Sequence, residues 1–458
     1  MPHPHPYRWS RYARLVPGPD GGVLAFSGAT GAMLSLLPPP PAARTRRRAL
    51  LALPPSSRPP RLPRPEQFDP EGRDCLLQAG LLVEAGHDEI EALKNRTWAD
   101  RHLATELVLN VSPTLACNLR CTYCFQKCGP PARGSAVMPP EVADGVVAFA
   151  DSRLEGCRTL AVAWFGGEPL LALPLVEELS RRLRDTAARA GAEFRCDLFT
   201  NGTLLTPEAA RRLKEAGVEG AVISLDGPPA VHDSRRPLAI GGPTFATIWS
   251  HLGPASEHLD IVVQTMLNRA NEGWAWYVYE KLVKEGLAGR VRFRVARVRE
   301  SPQPRLELTP REFGRVQIEG LRRYRGSPGF ATGLPPVRFG CSYRRERAFA
   351  IEPSGALHRC TRTLGRPEWS VGHVARGLFP GSAAATRWLA ADPFRRRRCL
   401  KCPVLPLCGG GCALELARGR TSCAPIRWTL EAWLQECARA PGGAARGQAG
   451  DRAPVGEA

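Results

Sequence analysis

The hydrophobic rhythm of the chain changes near residue 105. From there, short apolar runs alternate with longer amphipathic segments. The apolar runs are 107–111, 160–164, 194–199, 220–225, 261–266 and 291–295. Each is bounded by turn or polar residues and reads as a strand. Between most of them lie segments with apolar residues at helical spacing, at 141–154, 173–190, 207–216 and 272–285. Such alternation predicts an α/β fold, a parallel sheet with covering helices. Six units fall short of the eight of a closed barrel, so the prediction is a partial (β/α)6 TIM-like barrel over 105–300.

The flanks are different. Residues 7 to 36 read as short strands broken by the turns PGPDGG and SGATG. Residues 38 to 65 are rich in Pro and Arg and read as a mobile connector. An amphipathic stretch at 75–83 follows and ends near Gly86, which completes a small N-terminal α+β module over 1–95. Residues 301–340 form a bridge with one predicted helix at 310–325. Residues 341–437 are Cys-rich and weakly periodic, so bound metal is expected to supply what a small core cannot. The tail at 438–458 has the composition of a disordered segment.

Cysteine placement sharpens this picture. Of 15 cysteines, three lie in eight residues directly after the first apolar run: Cys117, Cys121 and Cys124, in C-x3-C-x2-C spacing. Three thiolates on a short loop can bind one face of an iron–sulfur cube and leave one iron open to a small molecule. A structural zinc site wants four ligands, usually as two C-x2-C pairs, although Cys128 follows four residues later. The N-terminal MPHPHPYRWSRYARLV has no apolar signal core, so disulfides are not expected and a reducing, cytoplasmic location is. No apolar run reaches membrane-spanning length. The formal charge of +19 attracts polyanions, but Arg is spread over the whole chain, and the tetra-Arg run at 395–398 is its longest unbroken run. Nucleic acid is therefore not the expected partner. An acidic peptide or an acidic electron donor fits the charge equally well.

Three polar turns follow successive predicted strands, where α/β folds place their sites. They are Gly166-Gly167-Glu168-Pro169, Thr200-Asn201-Gly202-Thr203 and Ser224-Leu225-Asp226-Gly227-Pro228. Paired glycines let backbone approach a ligand, and bulk at Gly167 is expected to block it. His232 and Asp233 are expected to be structural. With the Cys117, Cys121, Cys124 loop and its aromatic Tyr123, this order resembles the core of the radical S-adenosylmethionine (SAM) superfamily. The resemblance implies a [4Fe–4S] cluster on the three cysteines, with SAM chelated by its open iron. It implies that Gly166, Gly167 and Glu168 meet the methionyl amino group. It also implies that Ser224 and one of Arg235 or Arg236 meet the ribose and carboxylate, with Tyr123 and Asn201 lining the pocket. Reductive cleavage of SAM to a 5′-deoxyadenosyl radical, which takes hydrogen from a substrate, is the implied chemistry. An electron donor such as flavodoxin or ferredoxin is the implied partner.

The second array runs Cys341, Cys360, then Cys399-x2-Cys402-x5-Cys408-x3-Cys412 and Cys423. It resembles the SPASM domain of radical SAM peptide-modifying enzymes, which implies two auxiliary [4Fe–4S] clusters. One would take Cys399, Cys402, Cys408 and Cys423, and the other Cys341, Cys360 and Cys412. The second set lacks a fourth cysteine, for which Cys437 is a remote candidate. A zinc-ribbon-like domain in a nucleic-acid-binding scaffold is the reading from another class. Within the resemblance, maturation of a ribosomal precursor peptide competes with formylglycine formation in sulfatases. The sulfatase-maturing enzymes carry Asp directly after the second SPASM cysteine, whereas Thr361 follows Cys360 here. A hydroxyl is no general base near neutral pH without an activating partner. The N-terminal module loosely resembles leader-peptide recognition domains that bind by strand addition.

Overall fold

The computed structural model describes residues 6–17, 23–36, 64–126, 137–330 and 341–439. Of the predicted connector only 64 and 65 fall within them, and of the predicted tail only 438 and 439; Cys128 lies outside. Four short strands open the chain: β1 (Tyr7–Trp9), β2 (Ala13–Pro17), β3 (Val23–Ser27) and β4 (Met33–Leu36). The last three form an antiparallel sheet in the order β2-β3-β4. Helix α1 (Pro70–Gln78) starts where the Asp69 carboxylate accepts the Gly72 N–H. It ends before Gly80, whose φ of +66° breaks the helical path. The predicted amphipathic stretch at 75–83 is thus half helix and half strand, because β5 (Leu82–Glu84) turns back to pair with β1. Sequence periodicity does not reveal α2 (Glu89–His102), which buries only Glu89 and Leu93 and so has no apolar stripe.

The six predicted core strands are all present: β6 (Glu106–Val111), β7 (Thr159–Trp164), β8 (Glu193–Thr200), β9 (Gly220–Ser224), β10 (Asp260–Leu267) and β11 (Val291–Arg297). They pair in parallel and in sequence order, with Leu107 opposite Leu160 and Leu160 opposite Phe194. Their crossovers carry α3 (Pro140–Asp151), α4 (Leu173–Arg189), α5 (Pro207–Ala216), α6 (Pro229–Arg235), α7 (Phe245–Ala255) and α8 (Tyr277–Lys284). Leu107, Leu109, Leu160, Val162 and Trp164 share one sheet face and are fully buried in the main core with Val176, Leu179 and Leu183 of α4. The Trp164 indole donates to Ser180 Oγ at 3.0 Å, which satisfies its one polar atom. The predicted helix at 272–285 is shorter than its periodicity suggests. A 3-10 turn, Glu272–Trp274, precedes α8, since Asn271 is tied to the carbonyls of Asp226 and Met266 at the ends of neighbouring strands.

Beyond α9 (Pro310–Tyr324), the Cys-rich region corrects an expectation. It has no small core of its own. Strand β12 (Ala348–Ile351) pairs in parallel with β6, and β13 (Ala356–His358), β14 (Gly372–His373) and β15 (Gly377–Leu378) extend the same sheet. Phe349, Leu357, Leu364 and Trp369 join the barrel's buried cluster. Four short helices follow: α10 (Ala383–Leu389), α11 (Arg397–Leu400), α12 (Leu405–Cys408) and α13 (Ala413–Ala417). The last helix, α14 (Ile426–Ala438), buries Leu430 and Leu434 with Ile318 and Leu321 of α9 and with Leu24 and Phe26 of β3. Tyr12 and Leu93 pack with Cys399 and Leu405. The N-terminal module therefore rests on the Cys-rich region as well as covering the chain's other end. Among the described residues, no helix is long and apolar enough to cross a membrane.

Candidate active site and thiol groups

The loop with Cys117, Cys121 and Cys124 follows β6, and the Gly166-Gly167 turn follows β7, the adjacent strand. The two are in direct backbone contact. Gly167 N–H donates to Thr114 O at 3.2 Å and Glu168 N–H to Ala116 O at 2.8 Å. A Cβ on Gly167 would lie 1.9 Å from Ala116 O, and Gly166 sits at φ +138°. This corrects the expectation that bulk at Gly167 acts first on a ligand: it would first displace the cysteine loop.

Glu168 is wholly buried, and the protein uses its carboxylate internally. Thr200 Oγ1 donates to Oε1 at 2.7 Å, Leu170 N–H to Oε1 at 3.0 Å and Asn201 N–H to Oε2 at 2.7 Å. The residue ties the turn after β7 to the turn after β8. Burial raises its pKa, and these three donors oppose the rise. Asn201 accepts from Thr203 N–H and Oγ1 and donates to Asn118 Oδ1 at 2.7 Å. It holds the turn after β8 against the cysteine loop, with its amide 4.0 Å from Cys117 Sγ.

Asp226, which the sequence reading did not single out, is the hub of the third turn. Its Oδ2 accepts from the Tyr123 hydroxyl at 2.6 Å and from Arg235 Nε at 3.2 Å, and its Oδ1 from Met266 N–H at 3.1 Å. Its position inside the strand-end SLDG turn was the available signal. Arg235 also donates to Asn268 Oδ1 and Met266 O. Arg236 donates to the Tyr123 hydroxyl at 2.6 Å and keeps a buried Nε with no protein acceptor. Both arginines are buried, at 6% and 7% exposure. Ser224 Oγ accepts from Gln264. His232 bridges Asp226 N–H and Thr244 Oγ1, and Asp233 accepts the first N–H groups of α7, so both are structural.

Ten of the 14 described cysteines fall into three neighbourhoods, and none of the 14 is in a disulfide. Cys121 lies within electrostatic reach of Cys124, and Cys117 of Cys121. Cys341 lies near Cys360 and Cys412. Cys399 lies near Cys402, Cys408 and Cys423, and these four line one cavity. Burial pushes Cys117 and Cys341 up to about 12, so these thiols stay protonated until a metal displaces the proton. Among the described residues, no three His, Cys, Asp or Glu side chains are close enough to share one metal ion. A four-iron cube takes one thiolate per iron, so its ligands do not converge on a single metal ion. Cys437 packs in α14 beside Leu430 and Leu434, away from Cys341.

Arginines surround the C-terminal thiols. Arg362 Nη2 donates to Cys412 Sγ at 2.6 Å, while its Nη1 donates to Glu300 Oε1 at 2.7 Å. Glu300, the one non-Gly residue at positive φ among those described (56°), also holds Arg418. Arg344 donates to the carbonyls of Gly409 and Gly411 and lies between the two thiol groups. Arg427 donates to Cys423 Sγ at 3.2 Å. The available signal was their spacing: Arg344 and Arg362 stand three and two residues after cysteines.

Residues 111–269, which hold all three strand-end turns and the cysteine loop, match the family model described as the radical SAM superfamily. This stretch is a radical SAM domain, and the chain is an enzyme whose cofactors are SAM and [4Fe–4S] iron–sulfur clusters. The chain is similar to the serine-type anaerobic sulfatase-maturating enzyme of Klebsiella aerogenes, 26% identical over 336 residues, which cover 66% of this chain and 78% of that one. The GTP 3′,8-cyclase of Synechococcus sp. (strain WH7803) is 37% identical over 122 residues, 26% of this chain and 33% of that protein. The fold is shared with native anSMEcpe with bound AdoMet, at a TM-score of 0.58 and 19% identity over 72% of this chain and 95% of that one.

Proposed function

We propose that this enzyme modifies a peptide or protein by radical chemistry started at the loop of Cys117, Cys121 and Cys124. The observation that carries the reading is the gathering of ten cysteines into groups of three, three and four, the first at the carboxyl ends of the barrel strands. When bound, the loop cluster supplies the electron that splits the carbon–sulfur bond of SAM to give a 5′-deoxyadenosyl radical. In the proposal, Gly166 and Gly167 present backbone to the methionyl amino group, and Glu168 acts by holding that turn to the next strand end. Arg236, with its free Nε beside Tyr123, meets the SAM carboxylate, while Arg235 is occupied with Asp226, Asn268 and Met266. Ser224 and Asn201 line the ribose side. The ligand sets of the two auxiliary clusters are the C-terminal groups of three and four.

A structure of native anSMEcpe is described with bound AdoMet and Cp18Cys peptide, and its TM-score to this chain is 0.57 at 18% identity over 72% of this chain. That protein's ligand supports a peptide substrate here. The sulfatase reading is favoured by the Klebsiella relative. Thr361 in place of a carboxylate opposes it, and so does Glu300, whose carboxylate is held by Arg362 and Arg418 rather than kept for a proton. Precursor-peptide modification is therefore the main reading. The module at residues 7 to 90, with β2 and β4 as the two edges of its sheet, is the proposed leader-binding element. A reducing cytoplasm, with flavodoxin or ferredoxin as electron donor, fits the free thiols.

The test offers the anaerobically reconstituted enzyme a genome-neighbour precursor peptide and, separately, a sulfatase-derived peptide carrying Cys or Ser. Crosslinks with loss of about two hydrogens per modification in the first support the reading. Formylglycine in the second, with the first unchanged, replaces it with sulfatase maturation.

A further inference from the structure

We infer that the rim around Cys399, Cys402, Cys408 and Cys423 is a docking surface for an acidic one-electron carrier protein. The inference rests on the reading that these four thiols hold a redox group. Arg395, Arg397, Arg398 and Lys401 are all exposed and flank Cys399 and Cys402 in sequence. Arg398 lines the same cavity as the thiols. The N-terminal module adds Arg11, also exposed, whose Nη2 donates to Leu400 O at 2.5 Å and is thereby fixed on this rim. No ion pair among the described residues involves any of these five cations. Of the nearby acids two are engaged elsewhere, and Glu431 lies within electrostatic reach of Arg14. Asp392 accepts the Phe394 N–H, and Glu89 is buried with Arg8 and Ser10.

Exposed cations left without counter-charge repel one another and contribute nothing to the fold. Placed together, they steer an acidic partner and fix its orientation. A nucleic acid would answer to the charge, but it has no use for the thiols beneath. Each C-terminal group has one buried cysteine, Cys399 or Cys360, but Cys399 is far less deeply enclosed by protein than Cys341 or Cys360. The rim thus surrounds the C-terminal thiol group that is nearest to solvent. In the exchange the reduced carrier gives up one electron and the thiol-bound group takes it; no bond is made or broken.

The test uses the full-length, iron-loaded protein with flavodoxin hydroquinone as probe. Reduction is followed by stopped flow and binding by thermophoresis, over a series of salt concentrations. In Arg395→Glu/Arg397→Glu/Lys401→Glu, the second-order rate should fall about tenfold or more at low ionic strength. The wild-type rate should fall steeply with salt. Reduction by dithionite and iron content should not change. If charge reversal lowers iron content, the glutamine triple variant and the wild-type salt series decide. A carrier rate indifferent to both charge and salt would overturn the docking surface, as would a DNA duplex that binds the rim more tightly than the carrier. A wild-type protein that loads zinc instead of iron would overturn the underlying reading.

Discussion

The two cysteine regions are built on opposite principles. The loop of Cys117, Cys121 and Cys124 is local in sequence and shaped by backbone: Ala116 O is pressed against Gly167, and Asn201 and Glu168 lace three strand ends together. The C-terminal array spreads over 83 residues, from Cys341 to Cys423, and side-chain charge organises it. There Arg362 and Arg427 donate to cysteine sulfurs, and Arg344 lies between the two groups. A short loop needs a close-fitting neighbour but few new charges. Thiolates from distant segments bring more negative charge into a buried place, and fixed guanidinium groups offset it.

The largest effect should come from removing the local loop. Ala at Cys117, Cys121 and Cys124 should reduce 5′-deoxyadenosine formation under dithionite to background. Reconstituted iron should drop from about 12 to about 8 per chain, because the C-terminal groups do not depend on the loop. Undiminished cleavage in the triple variant would end the radical assignment. The next effect separates backbone fit from ligand contact. Gly167→Val should lose SAM cleavage and loop iron together, since its Cβ meets Ala116 O before it meets any ligand. Normal iron with weakened SAM binding would show that the glycine serves the ligand instead.

The comparison also explains what could be read in the sequence. The six core strands and the strand-end turns were legible because short apolar runs alternate with amphipathic segments and the turns carry Gly, Asn and Asp. The thiol spacing was legible because Cys is chemically distinctive. Helix α2 was not, since a helix with one buried leucine leaves no periodic trace. The union of the Cys-rich region with the barrel was not legible either. The pairing of β12 with β6 joins residues about 240 positions apart, and strand pattern does not name its partner. Asp226 and Arg362 were missed because a hub or a sulfur-facing guanidinium looks like any other charge until the fold brings its partners in.

The charge-organised region can be probed directly. Arg362→Met removes a charge-assisted N–H···S bond to Cys412 while Cys341, Cys360 and Cys412 remain. The reduction potential of that group should fall by roughly 50 mV, the one-electron equivalent of about 1 kcal/mol, with iron retained. Glu300→Gln should move it less and in the opposite direction, because a negative charge is lost while Arg362 keeps its bond to Cys412. Potentials unchanged beside a lowered melting temperature would make the pair a domain tie only. EPR-monitored redox titration distinguishes the outcomes.

The smallest effect concerns the backbone-organised region and its one buried histidine. His232 is wholly buried between Asp226 N–H and Thr244 Oγ1. Burial first, then Arg236 and Arg235, lower its pKa from 6.5 to about 4 against the opposing pull of Asp226 and Asp233. The unfolded chain takes up a proton near the ordinary value, while the folded chain resists until about pH 4. Between these values the unfolded state binds more protons, so stability rises with pH across the window. The stabilisation is fully present above the unfolded value and is lost as pH falls toward the folded one. The upper bound is about 3 kcal/mol, from roughly 2.5 pH units of differential binding. His232→Asn keeps a neutral polar side chain and removes the titration. The difference in thermal midpoint between wild type and variant, measured from pH 7 down to 4.5, should therefore shrink or invert as pH falls. Subtraction cancels the carboxylates common to both proteins. Two curves that run parallel over that range would mean that His232 takes its proton without cost, and that the Asp226 network is looser than its hydrogen bonds imply.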